Sequence, residues 1–259
     1  MALKDMRLST ENQVPLPALE RLATYIRSLM QLETAGVWTV SSHEMEKLTG
    51  VSAAQFRKDL SYFGEFGKRG IGYDVAALHR RIAQVLRIEE EQPVLLVGAG
   101  NLGAALVAYP GWKAYRFHIA AIFDKDPAKI GTKIRRLPVL DMSTIEEANR
   151  VISARMGIIA VPAWEAQRVA NQLIKAGVTG IVNFAPIRLE LPEHVIVREV
   201  CFICELTVLS YLIEEREAES HLLSADERGH PNELPAPLEK SGGPLSASRA
   251  PAVNDRAVR

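Results

Sequence analysis

The sequence predicts an α/β protein with a helical first third, an alternating β/α middle and one further helix near its C-terminal end. Apolar residues recur at helical spacing as far as the charged run Glu89–Glu91, and beyond Pro93 short β-branched runs alternate with helical stretches. From Glu214 onward there is no aromatic residue, and small, polar and charged residues dominate, which favours disorder. The predicted segments are a flexible arm at 1–13, a helical domain at 14–90, a β/α domain at 91–200, a helix at 201–215 and a disordered tail at 216–259.

The composition and charge of the chain exclude several classes of protein. With 47% hydrophobic residues in 259 positions, the chain can bury a core and is too long for one core of the usual size. Its 31 basic and 31 acidic residues cancel, which argues against a protein that coats polyanions or membranes along its whole length, although a locally basic face fits. Because it has two cysteines and lacks a leader-like or membrane-length apolar stretch, we expect a cytoplasmic protein with no membrane contact.

The first third predicts a helix-turn-helix. Apolar spacing indicates a first helix at 17–32, and two shorter helices follow it. Each of these begins with a serine followed three residues later by Glu or Gln, the form of a capping box, at Ser41–Glu44 and Ser52–Gln55. Gly50 lies in the short turn between them, so the second helix would enter a DNA major groove. A small helical domain with a solvated face is the alternative.

The segment at 63–73 favours DNA binding. It carries four glycines among aromatic residues and an adjacent Lys-Arg pair, which is typical of a β-ribbon wing along a DNA backbone. Arg57 and Lys58 are the candidates for base-edge contacts because their donors match the guanine acceptors, and an ordinary surface role is the alternative for Arg57. From Arg57 to Arg69 four basic residues face two acidic ones, a modest charge that suits a dimer. The predicted DNA-contacting residues are Ser52, Gln55, Arg57, Lys58, Ser61, Tyr62, Lys68 and Arg69.

A dinucleotide-binding motif opens the middle of the chain. The apolar run 94–97 predicts a buried strand, and it leads directly into a G-x-G-x-x-G turn and a helix-forming stretch. Asp124 ends the next predicted strand, about 20 residues further on, as expected of a carboxylate that binds adenosine-ribose hydroxyls. This carboxylate would repel a 2′-phosphate, so NAD(H) is the expected cofactor. The residues of the turn are Gly98, Ala99, Gly100, Asn101, Leu102 and Gly103.

The β/α alternation continues and outlines a Rossmann domain. Strands are predicted at 157–161, 180–182 and 194–197, with a helix at 163–176. Since such sheets bind ligands at the carboxyl ends of their strands, further cofactor contacts are expected from Val161, Pro162, Asn183 and Phe184.

The chain offers no convincing catalytic group. Tyr109 and Lys113 have the spacing of a catalytic dyad, but the intervening Pro110–Gly111 breaks the helix that such a dyad needs. The sheet uses nearly all residues from 93 to 200 and leaves no room for a substrate domain. We therefore expect no enzyme. An NAD-dependent oxidoreductase with an accessory helical domain is the alternative, and a dinucleotide-binding scaffold that binds protein is a third hypothesis.

With both modules in one chain, the sequence resembles the Rex family of bacterial redox-sensing transcriptional repressors. The resemblance lies in residues 51–73, 97–103, 183–186 and 209–211, which follow in the family's order. It implies a homodimer that binds double-stranded operator DNA through winged-helix domains, binds NAD(H) in Rossmann domains and exchanges a C-terminal helix between subunits. It also implies that NAD+ permits operator binding and that NADH releases the repressor.

The resemblance further implies a set of switch residues. Phe202 matches a family aromatic residue that reaches toward the nicotinamide, and Tyr109 and Arg27 match polar positions that join cofactor, helix and DNA-binding domain. Cys201 stands where the family has an aspartate, so the usual ion pair with Arg27 cannot form; Glu199 or Glu205 would be its substitute.

Cys201 and Cys204 also form a C-x-x-C sequence. Burial of two small residues in an interface is the favoured interpretation, and thiol redox chemistry or metal binding are the alternatives.

Overall fold

A computed structural model describes residues 14–64 and 72–226, with side chains as far as residue 218. The helices within these residues are α1 (Leu16–Thr34), α2 (Ser42–Thr49), α3 (Ala53–Ser61), α4 (Val75–Leu86), α5 (Asn101–Ala108), α6 (Ile145–Ile152), α7 (Ala163–Lys175) and α8 (Phe202–Asp226). The strands are β1 (Thr39–Val40), β2 (Tyr73–Asp74), β3 (Gln92–Val97), β4 (Phe117–Asp124), β5 (Lys133–Ile134), β6 (Leu137–Asp141), β7 (Met156–Ile159), β8 (Gly180–Asn183) and β9 (Ile196–Glu199). The chain divides into two units after Cys201, so α8 is described by itself.

Local signals place the helix-turn-helix where the sequence predicts it. The Ser41 hydroxyl accepts the Glu44 N–H, and the Glu44 carboxylate accepts the Ser41 N–H at 2.7 Å, which completes the predicted capping box. Gly50 ends α2 in the left-handed conformation at φ 72°. Only one of the two hydrogen bonds of the second predicted capping box is present. The Ser52 hydroxyl accepts the Gln55 N–H and so caps α3, but the Gln55 amide donates to Asp59 instead of interacting with the Ser52 backbone.

The first three helices, α4 and a short β-pair share one core. Its buried residues are Leu22, Tyr25, Ile26, Leu29, Val40, Met45, Phe56, Leu60, Val75, Leu78 and Ile82. Strands β1 and β2 pair antiparallel, and Gly72 crosses Val40 so closely that a Cβ atom there would lie 2.7 Å from the Val40 carbonyl oxygen. The pair is the base of the predicted wing. Lys68 and Arg69 fall at 65–71, outside the described residues.

The second part of the unit is a seven-stranded sheet in the order β5-β6-β4-β3-β7-β8-β9. All neighbours pair in parallel except β5, which is antiparallel to β6. From β6 to β9 this is the strand order of a dinucleotide-binding Rossmann sheet, with its crevice where the order reverses beside β3. The α/β fold class is therefore confirmed. Strands β5 and β6 and helix α6 were not predicted from the sequence.

Helix α8 is longer than the sequence predicts. It begins at Phe202 and continues to Asp226, so the expectation that 216–226 belongs to a disordered tail is wrong. Ala, Glu and Leu, which favour helix, are frequent in that stretch. Residues 227–259 of the predicted tail lie outside the described residues. The described helices include none with the length and hydrophobicity of a membrane span.

Candidate nucleic-acid interface and cofactor site

A buried carboxylate fixes α3 against α1. Asp59 on α3 is fully buried, and Arg21 on α1 donates to both of its oxygens at 2.6 and 2.7 Å. The Tyr25 hydroxyl and the Gln55 amide each donate to it at 2.7 Å. Four donors on one carboxylate hold the helix that would read DNA at a fixed angle to α1. From the sequence, Asp59 is only one of the two acidic residues between Arg57 and Arg69, because nothing local indicates a partner on another helix.

The hydrogen bonds around Asp59 stabilise the charged forms of both Asp59 and Arg21. Burial raises the pKa of Asp59, but hydrogen bonds from Arg21, Tyr25 and Gln55 outweigh it and leave the pKa below its usual value. The bond to Asp59 also raises the pKa of Arg21, although burial opposes that effect. Both partners stay charged at neutral pH, so the acidic charge of Asp59 is neutralised within the protein.

The predicted DNA-contacting side chains divide into two groups. Ser52, Arg57, Lys58, Ser61 and Tyr62 are exposed along α3 and its end, whereas Gln55 is half-buried and its amide is occupied by Asp59. The exposed group also makes internal bonds: Ser52 caps the helix, and the Ser61 hydroxyl donates to the Lys58 carbonyl.

Arg57 is held toward the start of α2. Its guanidinium donates to the Ser42 hydroxyl at 2.7 Å, which orients the side chain across the two helices of the motif. The Lys58 ammonium has no such tether among the described residues.

The glycine turn after β3 leaves room for a ligand. A Cβ atom on Gly98, whose φ is +108°, would lie 2.3 Å from the Ala160 carbonyl oxygen, and one on Gly103 would lie 1.9 Å from that of Gly98. These two positions require glycine for the fold itself. A Cβ atom on Gly100 would meet nothing within 4 Å. Gly100 caps α5 without a side-chain bond, so no capping side chain occupies the N–H groups of the first turn, which is what a pyrophosphate at a helix N-terminus requires.

Asp124 lies at the carboxyl end of β4, as predicted. One of its oxygens accepts the Ala99 N–H at 2.8 Å and the Lys129 ammonium at 3.2 Å, and the other accepts the Asp126 N–H at 2.9 Å. Burial raises the pKa of Asp124, but the bonds from Asp126, Ala99 and Lys129 lower it below its usual value overall. The ionised carboxylate keeps acceptor capacity for a ribose hydroxyl.

A cavity of about 570 Å³ opens beside these residues. Among the predicted cofactor contacts, those that line it are Gly98, Gly100, Asp124, Val161 and Pro162. Asn183 and Phe184 do not line it. The Asn183 amide is buried and donates to the Ala185 and Ile187 carbonyls, so it shapes its own loop, and Phe184 packs against the sheet core.

Tyr115 lies near two of the predicted switch residues and was not found from the sequence. Burial raises its pKa, the charge of Arg27 lowers it and Tyr109 raises it further, so both side chains lie within electrostatic reach of Tyr115. Tyr115 packs against the core of the first domain. Tyr109 itself is exposed and meets Trp112 edge-on. The Tyr109 ring also accounts for the glycine at position 111, because a Cβ atom there would lie 2.3 Å from the ring.

A polar contact joins the helical domain to the seven-stranded sheet within the unit that ends at Cys201. Arg198 on β9 donates to Glu20 on α1 at 2.5 Å. Helix α1 therefore contacts strand β9 through Glu20, and it contacts α3, the predicted DNA-recognition helix, through Arg21.

The remaining predicted switch residues lie at the start of α8. Phe202 is its first residue and is exposed, and Cys201 precedes it. Cys201 and Cys204 are both exposed in the single chain and disulfide-bonded, and their burial in a subunit interface stays a prediction.

Comparison with known proteins covers most of the chain. Residues 13–61 match the family model "Putative DNA-binding protein N-terminus" and residues 89–187 match the CoA binding domain. The chain is 44% identical to the redox-sensing transcriptional repressor Rex of Desulfitobacterium hafniense, over 80% of this chain and 98% of that protein. It is 42% identical to the Streptomyces coelicolor repressor of the same name, over 79% of each.

Solved structures agree with the sequence comparison. The structure of RSP in complex with β-NAD+ and operator DNA matches with a TM-score of 0.74 and 35% identity, over 82% of this chain and 98% of that one. The structure of RSP with β-NADH matches with a TM-score of 0.73 and 34% identity, over 81% and 98%.

Proposed function

Because the chain belongs to the Rex family of redox-sensing transcriptional repressors, we propose that it is a DNA-binding repressor that leaves its operator when NADH replaces NAD+. The observation that carries this proposal is the glycine turn that opens into a free crevice in the same unit as an exposed, rigidly held α3. The protein acts on DNA in the cytoplasm and turns over no substrate.

The cofactor supplies a difference in charge, since the nicotinamide ring is cationic when oxidised and neutral when reduced. A ligand shifts a conformational equilibrium only by such a difference in its interaction with the two states. We place the sensing of this charge at Arg27 and Tyr109, which share the neighbourhood of Tyr115. Arg27 lies on α1, and α1 holds α3 through Arg21 and Asp59, so a shift of α1 moves the recognition helix.

The proposed active form is a homodimer. Helix α8 exposes a large apolar surface, which a single chain leaves in water and a second copy would bury. The exposed apolar residues of this helix are Phe202, Ile203, Leu206, Val208, Leu209, Tyr211, Leu212 and Ile213. Exchange of α8 between subunits would bring Phe202 toward the partner's nicotinamide and set the spacing of two recognition helices on two half-sites.

The proposal is tested by fluorescence anisotropy of the purified protein on DNA from its own promoter, with NAD+ and NADH titrated separately. We expect NAD+ to leave binding intact and NADH to abolish it. Binding that ignores both nucleotides would contradict the sensor. Nucleotide binding without any DNA binding would favour the oxidoreductase or the protein-binding scaffold.

Arg57→Ala is expected to weaken operator binding by roughly 1–3 kcal/mol, the value of a good contact to a guanine edge. Ser42→Ala, which removes the hydroxyl that orients this guanidinium, should lose a smaller part of the affinity. Anisotropy titrations on operator and on random DNA measure both losses. An equal loss on random DNA would show that Arg57 contacts only phosphate.

Cys201→Ser is expected to keep the NADH response and lose any response to hydrogen peroxide. The structure holds Cys201 and Cys204 as a disulfide, so the protein is first reduced to the dithiol. Peroxide then takes two electrons and two protons from the two thiols, which form the disulfide again, and is itself reduced to water. Cys204→Ser is the matched control and should behave identically, because one thiol remains in each variant. Operator binding before and after peroxide treatment measures the effect. The same peroxide behaviour in the wild type and in Cys201→Ser would exclude thiol sensing.

A further inference from the structure

Trp164 is an exposed aromatic residue at the mouth of the cofactor cleft. It is the second residue of α7, which begins directly after Pro162, and 80% of its surface is accessible. What sets Trp164 apart from other exposed aromatic residues is its place at a cleft, where its flat apolar face is available to a ligand. Trp164 lines the same cavity of about 570 Å³ as Gly100 and Asp124.

The segment that follows β4 also lines this cavity. Asp126, Pro127 and Lys129 line it there, beside the carboxylate of Asp124 that is suited to the adenosine ribose. Lys125 of this segment forms an ion pair with Glu165, the residue next to Trp164, and Arg168 donates to Glu165 at 2.7 Å. The Lys125–Glu165 pair joins the start of α7 to the segment after β4, and the Arg168–Glu165 bond lies within α7, so the residue next to Trp164 is held by both.

We propose that Trp164 forms one wall of the adenine-binding part of the cleft and stacks on the base. The inference rests on the proposed function, since it takes a nicotinamide dinucleotide as the ligand. With the pyrophosphate at the first turn of α5 and the ribose at Asp124, the base leaves the ribose between Trp164 and Pro127. An indole ring offers a flat apolar face to any base, and such stacking contributes strongly to affinity.

The test uses ADP-ribose, which carries the adenosine and pyrophosphate but no nicotinamide. Trp164→Ala should weaken the binding of ADP-ribose, NAD+ and NADH by a common factor of about tenfold, measured by calorimetry. Trp164→Phe, which retains a flat ring, should recover most of the loss. Trp38→Ala is the matched control: Trp38 is 81% exposed but does not line the cleft, and its replacement should leave nucleotide binding unchanged.

A second readout follows the tryptophan itself. In a Trp38→Phe chain, ADP-ribose should protect part of the remaining tryptophan emission from acrylamide, and nicotinamide mononucleotide should not. Wild-type affinity for ADP-ribose in Trp164→Ala would overturn the assignment of Trp164 and leave the proposed function intact. A loss confined to dimer formation would overturn it as well, in favour of a subunit contact. Failure of the wild-type chain to bind any nucleotide would instead overturn the proposed function together with this inference.

Discussion

Gly100→Ala is expected to fold like the wild-type chain and to bind NADH at least about a hundredfold more weakly, a loss of about 2.8 kcal/mol. The backbone at Gly100 has φ −84°, which any residue adopts, and an added Cβ atom meets nothing within 4 Å. The fold therefore tolerates the methyl group. The methyl group occupies the space that a pyrophosphate needs in order to reach the N–H groups of α5. Calorimetry with NADH and thermal unfolding measure the two effects separately.

Gly103→Ala is the control with the opposite outcome. A Cβ atom there would lie 1.9 Å from the Gly98 carbonyl oxygen, so the backbone of the turn itself must shift. We expect Gly103→Ala to lower the melting temperature clearly, whereas Gly100→Ala should melt with the wild type. Unchanged NADH affinity in Gly100→Ala would mean that the ligand does not approach the turn and would contradict the assigned cleft.

Asp59→Ala is expected to lower the free energy of unfolding by about 3 kcal/mol and to abolish specific operator binding. The substitution leaves the Arg21 guanidinium and the Tyr25 hydroxyl facing a cavity where a carboxylate had accepted from both. Asp59→Asn keeps the shape and one acceptor oxygen, so its loss should be smaller. Urea unfolding measures both variants. Glu44→Gln, in the exposed capping box of α2, is the control and should lower the stability much less than either Asp59 variant.

The stabilisation by the ionised Asp59 carboxylate can also be measured through the pH dependence of the free energy of unfolding. Because the pKa of Asp59 is lower in the folded protein than the ordinary value of about 3.9, its stabilisation is fully present above that ordinary value. It is lost as the pH falls through the folded pKa, where the carboxylate takes up a proton. The difference in stability between the wild type and Asp59→Asn should therefore be constant near neutral pH and shrink below about pH 4. A difference that grows toward acid would contradict the ionised cluster.

Sequence reasoning succeeded where the determining interaction is local. The Ser41 capping box and the Gly50 helix end each lie within a few residues of their partners, so the turn of the DNA-reading motif could be located from the chain alone. The glycine turn is equally local, since its requirement for glycine follows from the close approach of neighbouring backbone. The β/α alternation on either side of this turn then indicates a Rossmann domain, although β5 and β6 were not predicted.

Features that depend on distant partners were missed. The carboxylate of Asp59 accepts from Arg21, 38 residues earlier, and no spacing in the sequence indicates that pair. Tyr115 and Trp164 gain their positions from chain segments that meet only in the folded unit. The end of α8 was misplaced for a different reason, because a composition rich in charge and small residues fits both a solvated helix and a disordered tail.

The most direct measurement is the occupancy of a labelled operator while the NADH fraction varies and the total concentration of NAD+ plus NADH stays constant. At constant total nucleotide, only the oxidation state of the ring changes. We expect full occupancy in NAD+ and a steady fall to free DNA as the NADH fraction rises, with the fall absent in Gly100→Ala. Occupancy that stays the same across the whole range in the wild-type protein would contradict this expectation.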